Sequence, residues 1–210
     1  MAYDLEEQEQ IDQLRAWWAK YGTLVTTVLF IALAIIGSWR GWQWYQGHQA
    51  GQARGYFEAL EEATRFDGEQ SIARINAAVK TLKTDYASTD YAGRGALVAA
   101  AALQARKDLT GARAQLDWLI QTKNPVLVPV ARLRLADLLF DQKDYDAALA
   151  QLNDAPQSFA GLYDDRRGDI FAAQGKIAEA RTAWTKAVEI LGVGHPLVPV
   201  IKLKLDAIGA

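Results

Sequence analysis

Between Lys20 and Arg40 the chain runs YGTLVTTVLFIALAIIGSW, nineteen residues (21–39) without one charge. At about 1.5 Å per helical residue this reaches roughly 28 Å, close to a hydrocarbon thickness of about 30 Å. Trp17, Trp18 and Tyr21 stand at one end, and Trp39, Trp42, Trp44 and Tyr45 at the other. Indole and phenol rings favour the headgroup level, where an apolar body and a polar tip are both satisfied, and five of the seven tryptophans lie in these two belts. A core helix of this length would carry a polar stripe, whereas this run offers only threonines, one serine and two glycines. A cleaved signal peptide would need a basic start and a small-residue site after a shorter apolar run. Here the start is acidic, and Ala32–Leu33–Ala34 sits inside the run. An uncleaved single-span anchor is expected. Its orientation stays open on charge alone, because Arg15 and Lys20 on one side balance Arg40 and Arg54 on the other.

The charge is unevenly placed. Residues 1–20 hold five acids (Asp4, Glu6, Glu7, Glu9, Asp12) against Arg15 and Lys20, while from Arg40 onward 21 basic residues face 20 acidic ones. No basic face for nucleic acid is announced. The absence of cysteine excludes disulfides, zinc–thiolate sites and thiol catalysis.

Beyond the span the sequence repeats itself. LVPVARLRL (127–135) returns seventy positions later as LVPVIKLKL (197–205), about twice the length of a two-helix repeat. Ala136 aligns with Gly168 and Ala148 with Ala180, both at an offset of 32, and each small residue is followed by a bulky one (Leu139, Phe171; Leu152, Trp184). Antiparallel helices approach closely only where one side is Gly or Ala, and bulky neighbours fill the space beside the contact. Residues 98–120 fit the same frame with Ala100, Leu103, Ala112 and Leu116, and residues 56–82 read as one more hairpin with FDGEQ as its turn. Each LVPV opens the first helix of a unit, with Pro129 and Pro199 near a first turn where a missing N–H costs nothing. One whole unit lies between them, and residues 196–208 read as a capping helix. On that helix Leu197, Val200, Ile201 and Leu205 are expected to form the apolar stripe, with Lys202 and Lys204 facing water or a partner.

The pattern resembles the tetratricopeptide repeat: residues 166–191 match at Gly168, Phe171, Gly175, Ala180, Trp184 and Ala187, and residues 133–152 at Leu135, Ala136, Tyr145 and Ala148. The second stretch lacks the usual proline at its expected distance, and residues 56–82 depart most. The order of parts adds a whole-chain resemblance. An acidic tail AYDLEEQEQIDQLRAWWAKYG, one aromatic-flanked span, about 170 residues of repeats including TDYASTDYA, and a closing LVPVIKLKLDAI are together similar to the YfgM family of ancillary subunits of the bacterial Sec translocon. The resemblance implies a tail in the cytoplasm, a span in the inner membrane and repeats in the periplasm. It also implies association with the SecYEG channel and with the membrane-anchored periplasmic chaperone PpiD.

The expected architecture is therefore all-α: a tail (1–20), a transmembrane helix (21–39), a juxtamembrane segment (40–49) and a tetratricopeptide-like α-solenoid of helical hairpins with a C-terminal capping helix (50–210). No enzyme is expected, nor any cofactor or metal site. His48 and His195 have no carboxylate or serine at useful spacing, and no phosphate-cradling loop or activated nucleophile appears. DDRR, residues 164–167, reads as a solvated helix face with local ion pairs. What remains is binding. The motif's usual groove positions fall on Arg94, Leu97 and Gln104, then Leu133, Asp137, Phe140 and Asp141, then Asp165 and Asp169. An apolar floor with an acidic rim suits an extended or helical polypeptide, such as a newly exported chain; the competing expectation is that these side chains are simply exposed or pack on the next helix. The function expected is a membrane-tethered interaction module assisting export. The alternatives are an envelope-assembly scaffold, for instance in cytochrome maturation, and an adaptor holding a cytoplasmic factor through its acidic tail.

Overall fold

The structure is a computed structural model describing residues 2–66, 68–122 and 124–209, with side chains from residue 8 onward except that of Glu69. Asp67, in the stretch expected to turn, lies outside the described residues, and the side chains of Asp4, Glu6 and Glu7 are likewise outside what is described. Among the described residues the regular structure is helical throughout: α1 (Ala2–Thr64), α2 (Glu69–Asp85), α3 (Asp90–Ala105), α4 (Leu109–Gln121), α5 (Leu127–Asp141), α6 (Tyr145–Gln151), a 3-10 turn (Gln157–Phe159), α7 (Ala160–Ala173), α8 (Ile177–Leu191) and α9 (Val198–Ala207). The chain divides into two compact units, Met1–Gly51 and Gln52–Ala210.

The first unit is helical through the uncharged run, and Leu24, Phe30, Ile31, Leu33, Ile35 and Ile36 are all exposed along it. Two of its hydroxyls are satisfied within the helix: Thr26 Oγ1 donates to Gly22 O at 2.8 Å and Thr27 Oγ1 to Thr23 O at 2.7 Å. That is the arrangement a bilayer demands, since no water is present there to bond them. Trp17 packs on Tyr21 and Trp42 on Tyr45, at ring-centroid distances of 5.7 and 6.4 Å.

In the second unit the helices pack as hairpins, and the small–bulky frame lands in the core. Ala136, Leu139, Ala148 and Leu152 are wholly buried, as are Leu103, Ala112 and Ala180. At the glycine of this frame the indole of Trp184 lies directly on the bare backbone of Gly168. Three turns share one geometry at offsets of 36 and 32: Lys107, Lys143 and Gly175 have φ of 64°, 61° and 75°. In each, the next residue's N–H reaches back to a carbonyl five residues earlier (Asp108 to Leu103, Asp144 to Leu139, Lys176 to Phe171), closing the preceding helix by the Schellman pattern. In the first two turns that residue is also the next helix's cap, Asp108 accepting from Gly111 N and Asp144 from Ala147 N. Only the third turn uses glycine; the two lysines hold a left-handed backbone that disfavours a side chain.

Both LVPV segments do open helices. Asn124 Oδ1 accepts the N–H groups of Val126 and Leu127, both at 3.0 Å, ahead of α5. His195 Nδ1 accepts that of Leu197 at 3.3 Å ahead of α9, a capping role for one of the two histidines. The complete α7–α8 hairpin lies between the hairpin that the first copy opens and α9. Helix α9 packs on α8 through Ile201, wholly buried against Trp184 and Ala187, with Leu197, Leu205 and Ile208 beside it. The expected stripe is corrected at one position: Val200 is 48% exposed, and Val198, at 2%, is buried instead.

Candidate protein-binding groove

The offsets that align the cores also align the outward positions of the first helices. Val130, Leu133, Arg134 and Asp137 of α5 correspond to Leu162, Asp165, Arg166 and Asp169 of α7, and to Leu97, Val98 and Ala101 behind Arg94 in α3. Two clefts open along this register. One, of about 260 Å³, is lined by Leu97, Val98, Ala101, Gln104, Val130 and Arg134. The other, of about 320 Å³, is lined by Val130, Leu133, Arg134, Asp137, Leu162, Asp165 and Arg166, with Phe159 and Leu197. Val130 and Arg134 belong to both walls. A third cleft, about 340 Å³ between the end of α1 and α2, lies outside the register.

The structure thus brings Leu97 and Gln104 to one cleft and Leu133, Asp137 and Asp165 to the next. It does not gather the rest. Arg94 is exposed and lines neither cleft. Phe140 packs on the core with its ring 5.7 Å from that of Tyr145. Asp141 is exposed and accepts from Gln104 Nε2 at 3.2 Å. Asp169 lies beneath α9. The lining residues that sequence reasoning missed, Val98, Val130, Arg134, Leu162 and Arg166, sit at the same offsets of 36 and 32 that defined the repeat, so the signal for them was present.

Charge on this face differs most from expectation, for the acids are engaged within the chain. Arg166 Nε stands 2.7 Å from Asp137 Oδ1, and its Nη1 stands 3.5 Å from Asp169 Oδ2. Lys204 of α9 donates to Asp165 Oδ1 at 2.8 Å and Asp169 Oδ1 at 2.6 Å, with its ammonium 5.8 Å from the centre of a Trp184 ring. Trp184 Nε1 donates to Asp165 O at 3.2 Å and to Asp169 Oδ1 at 3.1 Å. Lys204 therefore does not face water or a partner as expected, and the rim is not a set of unanswered acids. Burial raises the Asp137 carboxyl above its ordinary pKa, against the pull of Arg166 and Arg134. Burial likewise raises Asp165, against the hydrogen bond from Lys204. The DDRR run is corrected too: Asp164, 3% exposed, is buried rather than solvated, and pairs with Arg167 at 2.5 Å and Lys186 at 3.1 Å. Tyr163 is also buried, its hydroxyl donating to Pro129 O at 3.0 Å and fixing α7 against the first turn of α5.

Such a face offers apolar recesses flanked by fixed charges, the chemistry of polypeptide recognition. The tetratricopeptide repeat-like domain family matches residues 15–210. Among similar proteins, an ancillary SecYEG translocon subunit of Neisseria gonorrhoeae is 32% identical, covering 99% of this chain and 100% of its own length. One from Haemophilus influenzae is 29% identical over 89% of this chain and 91% of its own. One from Escherichia coli is 27% identical over 87% of each.

Proposed function

Because the chain belongs to the tetratricopeptide repeat-like family of ancillary SecYEG translocon subunits, we propose that it is a non-enzymatic, membrane-anchored adaptor of the SecYEG translocon. Residues 1–20 serve as a cytoplasmic tail, 21–39 as the span, 40–49 as a juxtamembrane segment, and 50–210 as a periplasmic repeat domain. That domain receives newly exported polypeptides and links the channel to the chaperone PpiD. The observation that carries this reading is the pair of apolar clefts on the first-helix register, walled largely by partly exposed side chains such as Leu97, Val130, Leu133 and Leu162. A folded-domain scaffold would need no such recesses.

Tagged full-length protein, released from membranes in mild detergent, should co-isolate SecYEG and PpiD; recovery without translocon subunits would refute the assignment. Orientation is tested separately, and the absence of native cysteine makes the background clean. Single cysteines at Gln8 and Gln174 on intact spheroplasts should react with an impermeant thiol reagent only at Gln174. Labelling only at Gln8 would invert the topology.

A further inference from the structure

The acids of the groove register are answered within the chain, and its central arginine is not. Asp137 is held by Arg166, and Asp165 and Asp169 by Lys204. Arg134 is exposed and makes no hydrogen bond or ion pair among the described residues. The carboxyl it influences electrostatically is that of Asp137, which Arg166 already holds. Yet Arg134 stands on the wall shared by both clefts, with Leu97 lining the one and Leu133 and Leu162 the other. A guanidinium presents a planar fork of donors that matches a carboxylate with two parallel bonds. A cationic segment would meet the like charge of this arginine, while Asp137, Asp165 and Asp169 are each already paired with Arg166 or Lys204 and Asp141 is hydrogen-bonded to Gln104.

Building on the reading of this face as a polypeptide groove, we infer that its occupant is an extended segment carrying a glutamate or aspartate flanked on both sides by aliphatic residues. The acidic side chain bonds to Arg134, and the aliphatic side chains enter the two clefts. Charge complementarity selects this chemistry over a basic or purely apolar segment, and the shared wall explains why the acid belongs between the apolar anchors.

The test uses the full chain in nanodiscs and three labelled peptides, identical except for a central Glu, Gln or Lys between leucines and valines, with binding read by fluorescence anisotropy. The Glu peptide should bind on the order of tenfold more tightly than the Gln peptide, the effect of one charge-assisted bidentate contact. Arg134→Glu should reverse the order so that the Lys peptide binds best, and Arg134→Gln should abolish the preference while leaving the thermal unfolding profile unchanged. Leu133→Asp, which spoils an apolar wall, should weaken all three peptides. Equal binding of the three peptides that is still lost in Leu133→Asp would overturn the acidic preference and leave the groove standing. Binding insensitive to Leu133→Asp, or no binding, would overturn both.

Discussion

Replacing Gly168 by alanine adds one methyl group, and in an isolated helix that change is favourable by about 0.8–1 kcal/mol. In this chain the opposite is expected. A Cβ at Gly168 would stand inside 3.0 Å of three indole atoms of Trp184, Cδ1, Nε1 and Cε2. The ring cannot swing aside without loss, because it is only 4% exposed and its Nε1 bonds both Asp165 O and Asp169 Oδ1. Overpacking costs about 1–3 kcal/mol, and weakening those hydrogen bonds adds about 1 kcal/mol, against a gain of about 1 kcal/mol in helix propensity. The net is a destabilisation of about 1–3 kcal/mol, or roughly 2–12 °C in Tm for a chain of this size. Thermal melts of the full chain in detergent, followed by far-UV circular dichroism, should show it. The same substitution in a Trp184→Ala background should change sign and stabilise by up to about 1 kcal/mol, since the clash is gone and the propensity gain remains. Equal destabilisation in both backgrounds would show that Gly168 does not face this indole, and the repeat frame would be wrong.

Three further outcomes follow from the geometry. Lys143→Gly relieves a left-handed φ of 61° and should stabilise by about 0.5–1 kcal/mol in the same melts, whereas Lys143→Val should destabilise. Ile201→Ala, which empties a wholly buried site between α8 and α9, should cost about 2–4 kcal/mol, while Val200→Ala should stay within about 0.5 kcal/mol; equal effects would restore the stripe expected from sequence. The Asp165 carboxyl, raised by burial above 3.8, binds protons more readily folded than unfolded. Its contribution is thus present in acid and lost as pH rises through the folded value. In denaturant titrations the stability of the wild type relative to Asp165→Asn should fall as pH rises above the ordinary carboxylate value of 3.8, and a margin that grows with pH would contradict the sign.

Much of this architecture was legible because it rests on short-range rules. The span follows from an uncharged run bracketed by aromatic rings, and the hairpin frame from the small residues that close helix contacts require, which is why Ala136, Ala148 and Ala180 are buried where expected. What escaped was set by distant partners. Lys204 meets Asp165 and Asp169 across 39 and 35 residues, so no local pattern marks those acids as neutralised. The rotation of α9, which exchanges Val200 for Val198, is fixed by its contact with α8 rather than by its own composition. The left-handed backbone at Lys107 and Lys143 went unmarked because lysine, unlike Gly175, carries no signal for a positive φ. Arg134 was passed over because an exposed arginine on a helix looks like solvation until the clefts on both sides of it are seen.

The central claim, that the first-helix face of the repeats receives exported polypeptide at the translocon, is most directly tested by photo-crosslinking in cells. A photoreactive residue would replace Leu133 in α5 or, as a control, the exposed Ala150 in α6, during synthesis of a precursor arrested in export. The account predicts adducts between the Leu133 position and the arrested precursor, with none from Ala150. Equal adducts from both positions, or adducts from Ala150 alone, would contradict it.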